Sequence, residues 1–345
     1  MSTVAATTRN EYGKTTQVPF GLANVAATAV KPGAGVGQAD ASLQELGQPA
    51  KSQARQTWEA FKANKAAYVG LWVLCIMIVV CIVVPFFLQA PDAIDMDVLG
   101  YQEPSAAHPL GTDSIGRDVL SRMVNAGRTS LAIGISVALG AALIGSIFGV
   151  CAGYFGGRTD SGLMWFANVM MSIPSMPLLL TIAVIVASPD SKIGPLVQHV
   201  PEWARIAMVL IALGWMGVSR MVRAQVVSLR NQEFVEAAIA LGGSHKRVMA
   251  VHIMPNCVSV LAVFTTLAVS SAIIAESALS FLGFGVQPPA ATWGNMLAEG
   301  RDLVTILNYW WVVWFPAMAI FAVVLSVNFI GDGVRDALDP KTQRR

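Results

Sequence analysis

Leu131-Ala132-Ile133-Gly134-Ile135-Ser136-Val137-Ala138-Leu139-Gly140-Ala141-Ala142-Leu143-Ile144-Gly145-Ser146-Ile147-Phe148-Gly149-Val150-Cys151-Ala152-Gly153-Tyr154 contains no charged residue. A helix needs roughly 20 consecutive apolar residues to cross a hydrocarbon core of about 30 Å, so this stretch predicts a transmembrane helix. Five others qualify: Ala66–Leu88, Val169–Ala187, Ile206–Val222, Val258–Phe284 and Trp310–Ile330. Helices satisfy their own backbone hydrogen bonds in lipid, and the strand alternation of a barrel is absent. The expected fold class is all-α, a polytopic membrane protein with about six transmembrane helices.

The whole chain agrees with that reading. Of its 345 residues 54% are hydrophobic and 13% charged, too apolar for an ordinary soluble domain. A net charge of +2 is too small to argue for nucleic acid, and none is expected as a partner. Placing the N-terminus in the cytoplasm puts Lys51, Arg55, Lys62, Lys65, Arg158, Arg220, Arg223, Arg230, Lys246, Arg247, Arg335, Lys341, Arg344 and Arg345 inside. Arg117, Arg122, Arg128, Lys192, Arg205 and Arg301 fall outside. That bias predicts a multi-pass protein of the inner, or plasma, membrane with both termini cytoplasmic. Cys75, Cys81, Cys151 and Cys257 lie in or beside apolar spans and read as small buried hydrophobes. No short apolar signal core precedes Ala66, so the first span reads as a retained anchor.

Residues 1–50, rich in Ala, Thr, Gly and Gln, cannot bury enough surface to order themselves and read as a disordered cytoplasmic tail. Its Gly13-Lys14-Thr15 mimics the end of a phosphate loop, but Thr8 stands where a glycine is needed and no strand precedes it. Residues 51–66, with Trp58 and Phe61 among lysines and arginines, form an interfacial or helical lead-in. Residues 67–129 hold the first span and a long outer loop. Residues 130–332 form the membrane core, and residues 333–345 a cytoplasmic C-terminus. Pro174 and Pro177 should kink the third span.

The polar segment 230–256 is the most informative. Phe234-Val235-Glu236-Ala237-Ala238-Ile239-Ala240-Leu241 favours a helix, Gly242-Gly243 should stop it, and Ser244 can cap a second helix ending before Pro255. Two short helices meeting at a sharp turn make a knob, and small residues at Ala237, Ala238 and Gly242 let another protein approach. The segment resembles the EAA loop of ABC-importer permeases, in which a Glu-Ala-Ala triplet is followed by Gly and closed by Leu-Pro. Glu236, Ala237, Ala238, Gly242 and Pro255 match, Gly243 continues the turn, and Met254 takes the Leu place. The resemblance implies the ABC-importer permease fold, with this loop as the coupling helix that docks on the ATP-binding subunit.

Three further segments resemble the C-type permeases of oligopeptide, dipeptide and nickel importers. They are His108-Pro109-Leu110-Gly111-Thr112-Asp113 with Gly116-Arg117-Asp118 and Ser121-Arg122, then Ala275–Gly283 with Trp293-Gly294, then Gly331–Pro340. The implied function is a permease subunit passing peptides or similar small solutes, nickel being the alternative. Its partners would be a second permease subunit, two ATP-binding subunits, an extracytoplasmic substrate-binding protein and the lipid bilayer. ATP and Mg would sit on partner subunits; the chain itself is expected to be no enzyme, with no catalytic residue, cofactor or metal. The family's Arg and Asp before the kinked proline are replaced by Trp165 and Asn168.

Glu276, a carboxylate within a span, is a candidate translocation-path residue or one half of a structural ion pair with Arg117. His245 and His252, seven residues apart, lack zinc spacing and read as surface or packing residues. A secondary transporter would carry several intramembrane charges, and a membrane enzyme a nucleophile with its base or a His-rich cluster. The chain supplies neither pattern.

Overall fold

The computed structural model describes residues 6–9, 15–18, 53–96, 98, 100–188, 191–192 and 194–338. Two units are distinguished, Met1–Gln56 and Thr57–Arg345. In the first, β1 (Ala6–Arg9) pairs antiparallel with β2 (Thr15–Val18), with Ala6 opposite Val18 and Arg9 opposite Thr15. This corrects the expectation of disorder over residues 1–50 at those two segments, where Thr and Val suit extended backbone. Gly13, Lys14 and most of the tail lie outside the described residues.

The helices follow in order. A lead-in, α1 (Gln53–Ala63), stops at Asn64, whose side-chain oxygen accepts the Ala67 N–H at 3.2 Å and caps α2 (Lys65–Val83). The lead-in is therefore broken from the first span, and Phe61 is buried with Ala67 and Ala337 near the far end of the chain. Pro85 ends α2 in a 3-10 turn. Arg128 then donates to the carbonyls of Cys81 (2.7 Å) and Ile82 (2.5 Å), satisfying acceptors that the helix end leaves open. Val69, Trp72, Ile76 and Val79 of α2 are exposed, as lipid-facing side chains should be.

Next come α3 (Val119–Phe155), α4 (Gly157–Ser172) and α5 (Ser175–Ala187). The last two meet at 92°, with Pro174 at the break and Pro177 in the first turn of α5, where its missing donor costs nothing. The expected kink is thus a full corner. After it run α6 (Glu202–Arg230), α7 (Glu233–Ala240), α8 (Met254–Phe281), α9 (Trp293–Glu299), α10 (Leu303–Asn308) and α11 (Trp310–Leu338). Among the described residues, five helices are long and apolar enough to cross a membrane, and six spans result if the bent pair counts as one.

A seam of small residues joins α3 to α6. A Cβ on Gly145, Gly149 or Gly153 would meet Val218, Val222 or Val226 respectively at 2.7, 2.7 and 2.8 Å, and one on Gly149 would also meet the Ser219 carbonyl at 2.6 Å. Glycine every fourth residue lets two backbones close in lipid, where dispersion rather than the hydrophobic effect drives helix association. The seam ends at Tyr154 and Val226, beside the segment expected to couple.

Candidate coupling site

The chain leaves α6 at Arg230 and turns into α7, whose first turn carries Glu233 and Glu236, both favourable at a helix N-terminus. Its far end is a Schellman turn. The Gly242 N–H donates to Ile239 O at 2.9 Å and the Gly243 N–H to Ala238 O at 3.0 Å. Gly242 sits at φ +80°, a region that costs an ordinary residue about 1–2 kcal/mol. A Cβ there would touch nothing within 4 Å, so this chain leaves the tip open. Gly243 differs, because a Cβ would lie 2.6 Å from Ala238 O.

Ser244 accepts the Arg247 N–H and caps the returning helix. The expectation that this helix ends before Pro255 is corrected. The backbone continues from His245 through a π turn at Val248–Ile253 into α8. Met254 N–H reaches back to Met249 O, and Pro255, which has no N–H to give, falls directly after the π turn. The second half of the loop is therefore the start of the fifth span. A helical run from His245 to Phe281 extends about 55 Å, well beyond a hydrocarbon core of about 30 Å.

The knob is anchored from beneath. Val235 is fully buried among Val150, Tyr154, Val222, Val226, Val248, Ile253 and Cys257, a cluster drawing on α3, α6 and α8. Tyr154 OH and His245 Nδ1 lie 2.8 Å apart, and Arg230 donates to Tyr154 O at 3.2 Å. His245 is thus an exposed residue held to the end of α3 by this bond. Ala238 turns partly into this cluster, whereas Glu236, Ala237, Gly242 and Leu241 face outward, Leu241 at 89% exposure. Phe234 and Ile239 are also exposed, making an apolar tip that reading the glycines and alanines alone missed. The available signal was three large apolar residues in and just after a short helix that has one buried side.

Glu276 and Arg117 do not meet, which corrects the pairing considered for them. Asp113 Oδ2 accepts Arg117 Nε at 2.7 Å and Arg122 Nη1 at 2.6 Å, while Oδ1 accepts the N–H groups of Ile115 and Arg117. Glu299 then binds Arg122 through Nη1 (2.5 Å) and Nη2 (2.6 Å) and Arg117 Nη2 at 3.3 Å. Arg117 is satisfied close to its own segment. Glu276 is fully buried: Ser280 Oγ donates to its Oε1 at 2.7 Å, and Oε2 has no hydrogen-bond partner among the described residues. Glu299 is the partner that sequence reasoning missed, because it lies 177 residues beyond Arg122.

The family model described as "Binding-protein-dependent transport system inner membrane component" matches residues 145–344, and one described as "N-terminal TM domain of oligopeptide transport permease C" matches residues 52–104. A dipeptide transport system permease protein of Bacillus subtilis is 38% identical over 86% of this chain and 88% of its own length. Oligopeptide transport system permease proteins of Bacillus subtilis and Haemophilus influenzae are 37% and 36% identical. They cover 82% and 84% of this chain, and 88% and 90% of their own lengths. The chain belongs to the binding-protein-dependent transport system inner membrane components, the permease subunits of ABC importers.

Proposed function

We propose that this chain is one of two permease subunits in an importer of peptides, driven by two ATP-binding subunits and supplied by an extracytoplasmic substrate-binding protein. Both termini face the cytoplasm, and the α7 knob docks on an ATP-binding subunit through Glu236, Ala237, Gly242 and the apolar side chains of Phe234, Ile239 and Leu241. ATP and Mg belong to those subunits, and this chain binds no cofactor. Peptides are preferred over nickel because the relatives described above are peptide permeases by name.

The observation that carries the reading is mechanical. An exposed tip rests on one apolar cluster shared by three spans, so a push on the knob displaces α3, α6 and α8 together. Such a linkage suits alternating access, in which closure of the ATPases on ATP switches a path between two openings. Copurification and uptake test it. The knob variants Leu241→Asp and Ala237→Arg should reach the membrane at normal abundance, lose ATP-binding subunits and lose peptide uptake. Wild-type association in both would remove the knob from the mechanism, and ATP hydrolysis by the pure chain would overturn the division of labour.

A further inference from the structure

Two cavities adjoin along α6. One of about 730 Å³ lies between α4 and α6, bordered by Asp160, Asn168, Gly217, Arg220 and Arg223 among others. The other, about 460 Å³, is apolar and lies among α3, α5, α6 and α8, with Leu179, Leu213, Gly214, Gly217 and Leu267 in its wall. Gly217 borders both. Leu213, Gly217, Arg220 and Ala224 recur at three- and four-residue spacing, so they share one face of α6. A Cβ on Gly217 would meet no atom of this chain within 4 Å, so packing within this chain does not require a glycine there.

Charge in the polar cavity is unevenly matched. Arg223 binds Asp160 through two parallel bonds, Nε to Oδ1 and Nη2 to Oδ2, each 2.5 Å, which occupies that carboxylate. Among the described residues, Arg220 has only the Met171 sulfur at 3.8 Å, a weak acceptor. A guanidinium fork without a carboxylate in a polar recess suits a planar anion.

We propose that this face of α6 is the chain's wall of the solute path, and that Arg220 receives the C-terminal carboxylate of a passing peptide. The proposal rests on the peptide reading above. Gly217 keeps the wall open where apolar and polar segments join, and the apolar cavity beside it accepts side chains without fixing their identity. Arg220 answers the one anion that every unmodified peptide carries.

The test uses the assembled transporter in proteoliposomes with its binding protein, and a peptide that the binding protein accepts as both free acid and C-terminal amide. Arg220→Gln should lower uptake of the acid about tenfold and bring the acid-to-amide uptake ratio toward one, with Arg220→Lys retaining part of the preference. Gly217→Leu should block uptake of both forms while all subunits still copurify. An unchanged ratio in Arg220→Gln, wild-type uptake in Gly217→Leu, or loss of the second permease subunit from Gly217→Leu would each overturn the proposal. So would an effect of Arg220→Gln that disappears when anionic lipid is left out of the proteoliposomes, since Arg220 would then serve an anionic lipid headgroup. Absence of any peptide uptake by the wild type would instead overturn the peptide reading itself, and the proposal with it.

Discussion

The Tyr154 hydroxyl and His245 Nδ1 stand 2.8 Å apart across 91 residues of sequence, joining the end of α3 to the start of the helical run that becomes the fifth span. This bond, with the Arg230 contact to Tyr154 O, fixes the knob against the spans at its base. Tyr154→Phe keeps the ring and removes the bond, a loss of about 0.5–1.5 kcal/mol. The expected outcome is normal copurification of ATP-binding subunits with uptake per ATP hydrolysed lowered a few-fold. Unchanged coupling in Tyr154→Phe, measured as that ratio, would show that the apolar cluster alone holds the knob.

The two glycines of the turn should respond differently. Gly242→Ala meets no atom but must hold φ +80°, a cost of about 1–2 kcal/mol, so a modest weakening of ATPase association is expected. Gly243→Ala must displace the Ala238 carbonyl and disturbs the turn more. Gly242→Trp adds bulk at the open tip and should abolish docking while the chain still inserts. Quantified pull-down of ATP-binding subunits should rank association Gly242→Ala, then Gly243→Ala, then Gly242→Trp, and a reversed order would refute this geometry.

In the α3–α6 seam, Gly149→Ile would drive a side chain into Ser219 O and Val222. Overpacking of this kind costs about 1–3 kcal/mol, enough to lower membrane abundance and thermal stability in detergent. Gly162→Ile on α4 is the control, because its Cβ meets nothing within 4 Å. Equal stability of the two variants would deny the seam its role.

Asp113 accepts four hydrogen bonds and holds two guanidinium groups, one of them on the buried Arg122. Asp113→Ala leaves those charges short of a partner, at a cost of about 3–5 kcal/mol. Glu299→Gln keeps the shape and half of the acceptors and should cost less. Melting of the purified complex is the measurement, and a Glu299→Gln variant less stable than Asp113→Ala would reverse the assignment.

Orientation is open to a direct test. Ser244 and Gln287 are both exposed, so single cysteines there in a cysteine-free background are accessible to reagents. The proposed topology has Ser244 labelled from the cytoplasm and Gln287 from outside. Labelling of both from one side would overturn the topology.

Local sequence carried much of this protein. Uncharged runs long enough to cross a bilayer determined the helical membrane fold, because lipid offers the backbone no other partner. The Ala-rich stretch, the glycine pair and Ser244 marked a helix, a stop and a cap, since each depends on propensity or on bonds spanning a few residues. Pro174 likewise announced the corner between α4 and α5. What the tertiary structure alone decided depends on residues distant in the chain. Pro255 looked like the end of a loop, yet a π turn absorbs it and carries the helix into the fifth span. Arg117 and Arg122 could have sought any carboxylate. They find Asp113 beside them and Glu299 far along the chain, while Glu276 is buried apart from them and takes a bond from Ser280. Which side of α7 faces inward followed only from the meeting of Val235 with Val226, Val248 and Cys257, because burial is settled by the whole packed set of helices and by no local pattern within one of them.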